Sequence, residues 1–194
     1  MERFTSDSFL PCKQDAKRMA EIFDRYYYPG KCNPQDIMEL RQSYCAQFIV
    51  LRDNEKEDLI VGFMVIVPVT DPYFTKFFKG EIYGLGKTPY PREAFPINDV
   101  STDKFIIDCL MTDPDYGRFE VWKDLMLQAV VSLSEIANGT AQIVGETNLK
   151  TGHYFYENLL QIPIVKKLPS TVIYKTTLKE LTNNVLSFQS ASRV

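Results

Sequence analysis

Histidine is almost missing from this chain of 194 residues: His153 is the only one, and Cys12, Cys32, Cys45 and Cys109 show no C-x-x-C spacing. Those shortages exclude the usual zinc-site patterns, so no metal is expected and the cysteines are expected to be separate, reduced thiols. Long apolar runs are lacking too, none approaching the roughly 20 residues that a membrane-spanning helix needs. Residues 1–10 have no apolar core of the kind a secretory signal carries, so the expected location is the cytoplasm, with no membrane partner. A basic excess is also missing: the formal charge is −3, which gives no general attraction to nucleic acid. There are no internal repeats or low-complexity tracts, and the length fits one domain, expected over residues 1–182.

Hydrophobic periodicity orders what remains. Ala16, Met19, Ala20, Phe23 and Tyr27 recur at helical spacing and stop at Pro29-Gly30. Asn33 is placed to cap a second helix that opens with Pro34 and runs to about Tyr44. Residues 47–52 and 59–69, rich in Val, Ile and Phe, flank a charged tip and read as a β-hairpin. Phe105, Ile106, Ile107, Leu110 and Met111 make a buried strand, residues 113–117 (Asp-Pro-Asp-Tyr-Gly) supply a turn, and Val121, Trp122, Leu125, Met126, Ala129, Val130 and Leu133 fall at helical spacing. A strand over 141–148, a helix reaching Leu160 and a closing strand pair over 162–167 and 171–178 follow, with a Ser-rich polar tail from 183 to 194. The expected order is helix, helix, hairpin, strand, helix, strand, helix, strand, strand: an α/β (α+β) domain with a mixed central sheet flanked by helices.

Residues 71–101 interrupt that order before the central strand as an insertion rich in proline and aromatics. Its Gly80, Gly84 and Gly86 would give hinge freedom, and its seven aromatics argue against disorder. It serves either as a lid over an acceptor or acyl-chain pocket or as an insertion packed on the sheet edge or used in a homodimer contact.

The central strand, turn and helix, Ile107-Asp108-Cys109-Leu110-Met111 with Pro114 and Tyr116, resemble the core motif of the GCN5-related N-acyltransferases. Where that family has a run of glycines this chain has only Gly117, followed by Arg118, Phe119 and Glu120. The segment Val144-Gly145-Glu146-Thr147-Asn148 and then His153-Tyr154-Phe155-Tyr156-Glu157-Asn158 resembles the family's next strand, its Asn and its tyrosine-bearing helix, with a spacing about one residue longer than usual. The resemblance implies acetyl-coenzyme A or a longer acyl-coenzyme A as co-substrate and a small-molecule or peptide amine as acceptor. It implies polarisation of the thioester by backbone N–H groups near Leu110 and Met111. Tyr116, Gly117 and Arg118 would lie along the pyrophosphate and Asn148 near the pantetheine arm, and Tyr156 would reprotonate the departing thiolate. Val67-Pro68-Val69-Thr70-Asp71-Pro72-Tyr73 is similar to a piece of the autoinducer synthases, which use acyl-carrier-protein donors. The residues that would bind that family's adenosyl-methionine substrate have no counterparts here.

Asp108 is the most unusual ionisable residue, lying in an otherwise apolar strand. Burial would raise its pKa towards that of a useful general base, and the alternatives are a solvent-facing carboxylate or a partner of Lys or Arg. Simple alternation places it with Leu110, opposite Ile107 and Cys109. Cys109 beside it is a candidate nucleophile with no evident activating base. Arg118 could replace glycine contacts through its guanidinium fork, whereas Glu120 opposes an anion in the first helical turn. His153 and Tyr156 could share one helix face and one hydrogen-bond network. Three functions remain open: an acyl-coenzyme A-dependent N-acyltransferase, a catalytically silent ligand- or partner-binding module on the same fold, and an acyl-carrier-protein-dependent N-acyl amino acid or lactone synthase.

Overall fold

The expected hairpin forms the middle of the molecule: β2 (Gln47–Asp53) and β3 (Leu59–Pro68) pair antiparallel, and β3 is buried along almost its whole length. Both of its faces are covered. Phe63, Val65 and Val67 pack beneath α1 (Lys13–Asp24), α2 (Pro34–Ser43) and α3 (Asp71–Lys79). Met64 and Ile66 pack beneath α4 (Arg118–Ile136) and α6 (Leu178–Ala191). Each such side chain taken from water contributes about 1.5–3 kcal/mol, which explains an apolar run without polar alternation. The computed structural model describes residues 4–8, 11–26, 32–43, 46–81, 102–116, 118–147 and 150–191.

With β1 (Phe4–Ser8), β4 (Lys104–Thr112), β5 (Gln142–Thr147), β6 (Ile164–Lys167) and β7 (Val172–Thr177), the sheet has seven strands in the order β1-β2-β3-β4-β5-β7-β6. Every pair is antiparallel except β4 with β5. α5 (Lys150–Tyr154) continues into a π-helical turn over Phe155–Leu159, where Leu160 N donates to Phe155 O at 3.0 Å. At Gly62 an added Cβ would lie 2.5 Å from Val121 Cγ1, so the missing side chain is what lets α4 settle on β3.

The mixed α/β architecture agrees with expectation, and the cap does too: Gln35 N donates to Asn33 Oδ1 at 3.0 Å. Three readings are corrected. The first described residues form a strand, β1, which pairs with β2. The first part of the supposed loop insertion is the helix α3, entered from Thr70, with Tyr73, Phe74 and Phe77 buried and Gly80 closing it at φ +75. Residues 82–101, where the rest of the lid expectation falls, lie outside the described residues. The polar tail expected from residue 183 is helical to Ala191, because Leu181 and Val185 lie in the core and Glu180 caps the first turn by accepting from Thr177 N at 3.0 Å.

Candidate active site at the gap between two parallel strands

β4 and β5 pair only from Lys104↔Gln142 to Ile107↔Gly145, although both strands continue beyond that point. The strands therefore part at Ile107, and the β4–β5 ladder does not continue past it among the described residues. The register with β3 slips at the same place: Ile66 opposes Ile107 and Val65 opposes Cys109, leaving Asp108 as the extra residue of a β-bulge. Simple alternation fails across a bulge. Ile107 lies with α4 and Cys109 with α1–α3, so the bulge, not the two-residue period, decides which side Asp108 takes. The Asp108 charge acts on Cys32, Tyr73 and Cys109, all in the α1–α3 layer. The expectation that Asp108 faces away from Cys109 is thereby corrected.

Cys109 is not placed as a nucleophile, since burial and then Asp108 push its thiol well above the ordinary range and hold it protonated. The Cys32 thiol is pushed up to about 12 by burial and by Asp36, Asp24 and Asp108. Leu110 leans towards the α4 cluster, and Met111 is buried with α1–α3.

Tyr156 reaches the gap from the other side of the sheet. It is buried with the α4 cluster, and its phenol packs on Gly145, where an added Cβ would sit 2.8 Å from Tyr156 Cζ. Glycine at 145 is what makes room for the hydroxyl where the strands separate. Burial, then Glu146, Tyr174 and Cys109, raise the phenol above its ordinary range, so it remains a proton donor at neutral pH. Asp108 and Tyr156 thus approach the parting strands from opposite faces, each within electrostatic reach of Cys109.

A second tyrosine fixes Tyr156. The Tyr174 ring on β7 stacks on it with centroids 4.6 Å apart and an interplanar angle of 15°. The Tyr174 hydroxyl donates to Glu157 Oε1 at 2.6 Å and lies 2.7 Å from His153 Nδ1. Because that hydroxyl's proton is directed at Glu157, the Nδ1–H tautomer of His153 completes the chain as donor. His153 therefore shares a network with Tyr156 through Tyr174 rather than directly.

The turn leaving β4 is held by helix α1. Asp113 is buried, its N–H donates to Val61 O at 2.7 Å, and its carboxylate pairs with Arg18 Nη2 and, at 2.5 Å, with Arg25 Nη1. Arg25 also bridges to Asp115 through contacts of 2.9 and 3.0 Å, which holds the Asp115 carboxyl below its usual range. Tyr116 N donates to Asp113 O at 3.0 Å, and Lys56 Nζ lies 5.1 Å from the centroid of the Tyr116 ring. The two arginines were missed in the sequence, where α1 was read only for its apolar stripe. Their signal was the seven-residue interval, two helical turns, between Arg18 and Arg25. Arg118 and Glu120 lie in the first turn of α4, whereas Gly117 and Asn148 fall outside the described residues. No group of side chains suited to a metal ion occurs among the described residues.

No family model matches the sequence, and no curated protein matches it. Solved structures do share the fold. A GNAT family N-acetyltransferase from Escherichia coli, in complex with CoA, superposes with a TM-score of 0.56 at 15% identity, covering 93% of this chain and 86% of that one. The aminoglycoside 6′-N-acetyltransferase from Enterococcus faecium gives 0.61 at 11% identity, covering 90% and 97%. The ribosomal-protein-S18-alanine N-acetyltransferase from Escherichia coli gives 0.56 at 13%, covering 90% and 94%.

Proposed function

We propose that this chain, which has the fold of the GNAT N-acetyltransferases, is an acyl-coenzyme A-dependent N-acyltransferase acting on an amine. The observation that carries the reading is the gap between β4 and β5, with a protonated Tyr156 on one side and the Asp108 carboxylate on the other. Acyl-coenzyme A supplies a thioester, whose acyl carbon bonds to the amine nitrogen as its C–S bond breaks. Asp108 takes the proton that the nitrogen loses, directly or through water, and Tyr156 gives its own to the departing sulfur. The unladdered N–H groups of β4 beyond Ile107, near Leu110 and Met111, polarise the acyl carbonyl. The turn at Asp113–Tyr116 and the N-terminus of α4, with Gly117, Arg118 and Asn148, would hold the pyrophosphate and pantetheine. Arg18 and Arg25 offset the carboxylates of Asp113 and Asp115, which would otherwise repel it.

The silent-module reading is favoured by those same carboxylates, which place two acidic side chains on the turn where phosphates would approach. Thermal unfolding separates the two. A donor at about a hundred times its dissociation constant adds roughly 2.7 kcal/mol to stability, a shift of several degrees. Acetyl-coenzyme A is expected to give that shift in both the wild type and Tyr156→Phe, while the variant loses on the order of a hundredfold in turnover. Unmoved melting curves with millimolar acetyl- and longer acyl-coenzyme A would leave the silent module or the carrier-protein-dependent synthase in place of that enzyme.

A further inference from the structure

We propose that the acceptor is a compact amine that enters unattached, not a lysine side chain carried within a polypeptide, because α3 lies across the sheet face on which such a polypeptide would have to rest. The inference rests on the acyltransferase reading of the gap and narrows its acceptor.

α3 is fastened at both ends. At its start, Asp71 Oδ1 pairs with Lys104 Nζ at 2.5 Å, and Val69 N donates to Lys104 O at 2.9 Å, at the first residue of β4. At its finish, Lys166 Nζ of β6 donates to Phe78 O at 2.6 Å. Gly80 then closes on Leu168 in the β6–β7 connection, where an added Cβ would meet Leu168 Cδ1 at 2.8 Å. Between these points Lys175 of β7 sits over the Phe74 and Phe78 rings at 5.6 and 5.4 Å. Nine residues rising about 1.5 Å each span ~13 Å, close to three strand spacings of about 4.8 Å. The helix therefore crosses from β4 over β5 and β7 to β6.

It does so on the face that carries Asp108 and Cys109. Tyr73, Phe74 and Phe77 share one core cluster with Cys109, and the Asp108 charge reaches Tyr73. α1 and α2 cover the remainder of that face through Met19, Phe23, Ile37 and Leu40. A polypeptide presenting a lysine from its interior must lay several residues on either side of it, and four extended residues take about 13 Å. α3 already occupies that length. Peeling it away would expose Tyr73, Phe74 and Phe77, at about 1.5–3 kcal/mol for each large apolar side chain. A single small amine needs no such length.

The test uses the full chain with acetyl-coenzyme A and follows release of the free thiol. Short aliphatic mono- and diamines are compared with lysine-containing peptides of about ten residues. The proposal expects kcat/KM at least tenfold higher for the compact amines. It also expects Lys166→Ala, which frees the far end of α3, to shift that ratio towards the peptides. Peptides turned over as well as or better than compact amines by the wild type overturn the proposal and leave the acyltransferase reading intact. A ratio that Lys166→Ala leaves unchanged overturns the role of α3. If no amine of either kind releases thiol, the acyltransferase reading fails and this inference fails with it.

Discussion

Replacing Tyr174 with phenylalanine removes one oxygen and, with it, both hydrogen bonds that tie β7 to the segment carrying Tyr156. The ring stack, at 4.6 Å, is left in place. A hydrogen bond to a carboxylate contributes about 1.5–3 kcal/mol and a neutral one about 0.5–1.5 kcal/mol. The side chains of His153 and Glu157 are 32% and 44% exposed, so water recovers part of that loss. The expected destabilisation is therefore about 1–2 kcal/mol, or roughly 2–8 °C in Tm for a chain of this size. Turnover should fall further than stability alone explains, with KM for acyl-coenzyme A unchanged, because Tyr156 keeps its place but loses its restraint. Calorimetry and steady-state rates on one preparation measure both quantities. A Tm within one degree of wild type, together with a wild-type rate, would refute the claim that this network positions Tyr156.

Arg18→Ala leaves the buried Asp113 with Arg25 alone and should cost about 2–3 kcal/mol in urea unfolding, less than the ~3–5 kcal/mol of a fully stripped pair; a loss below 1 kcal/mol would contradict the clamp. Gly145→Ala presses a methyl group into the Tyr156 phenol and should cost about 1–3 kcal/mol and most of the activity, whereas a variant with normal turnover would remove Tyr156 from the chemistry. Stability should be lost on the alkaline side: burial raises the phenols of Tyr73, Tyr156 and Tyr174 above the ordinary value of 10.0. Their contribution is fully present below pH 10 and disappears as pH rises through their folded values, at about 1.4 kcal/mol per pH unit for Tyr156 alone. Phenolate absorbance should then appear in step with unfolding, and a folded protein whose 11 tyrosines all ionise at an ordinary midpoint would contradict this.

The elements legible in the sequence were those whose local chemistry and burial agree. Asn33-Pro34 starts a helix, the charged tip closes a hairpin, and Phe105, Ile106, Ile107 and Met111 are buried as read, Leu110 only partly. β1 was not legible because its five residues, FTSDS, carry no apolar alternation and depend on pairing with β2. α3 was obscured by proline and aromatics, although Thr70-Asp71-Pro72 is a helix start and Tyr73, Phe74 and Phe77 fall on one helical face. In α6 the serines and asparagines suggested a tail, yet Thr177 and Glu180 form a capping box before Leu181 and Val185. The position of Asp108 could not have come from periodicity, since a bulge is a property of two strands and only their register reveals it.

That bulge gives β4 a phase. Residues before Asp108 and residues after it obey the same alternation but are displaced by one, so the strand is two half-strands joined out of step. Substitution at 108 leaves the phase alone. Deletion of the residue would restore a regular ladder and leave the next four side chains on the faces they already hold, Cys109 and Met111 towards α1 and Leu110 towards α4, because the residue after Ile107 in a regular strand takes the face opposite Ile107. Thr112, whose Oγ1 lies 3.2 Å from the Tyr26 hydroxyl, would keep that partner. The fold should therefore accept removal of this one residue, which takes away the carboxylate and leaves both half-strands in register, whereas an inserted residue would need a second bulge or would turn the side chains beyond it over.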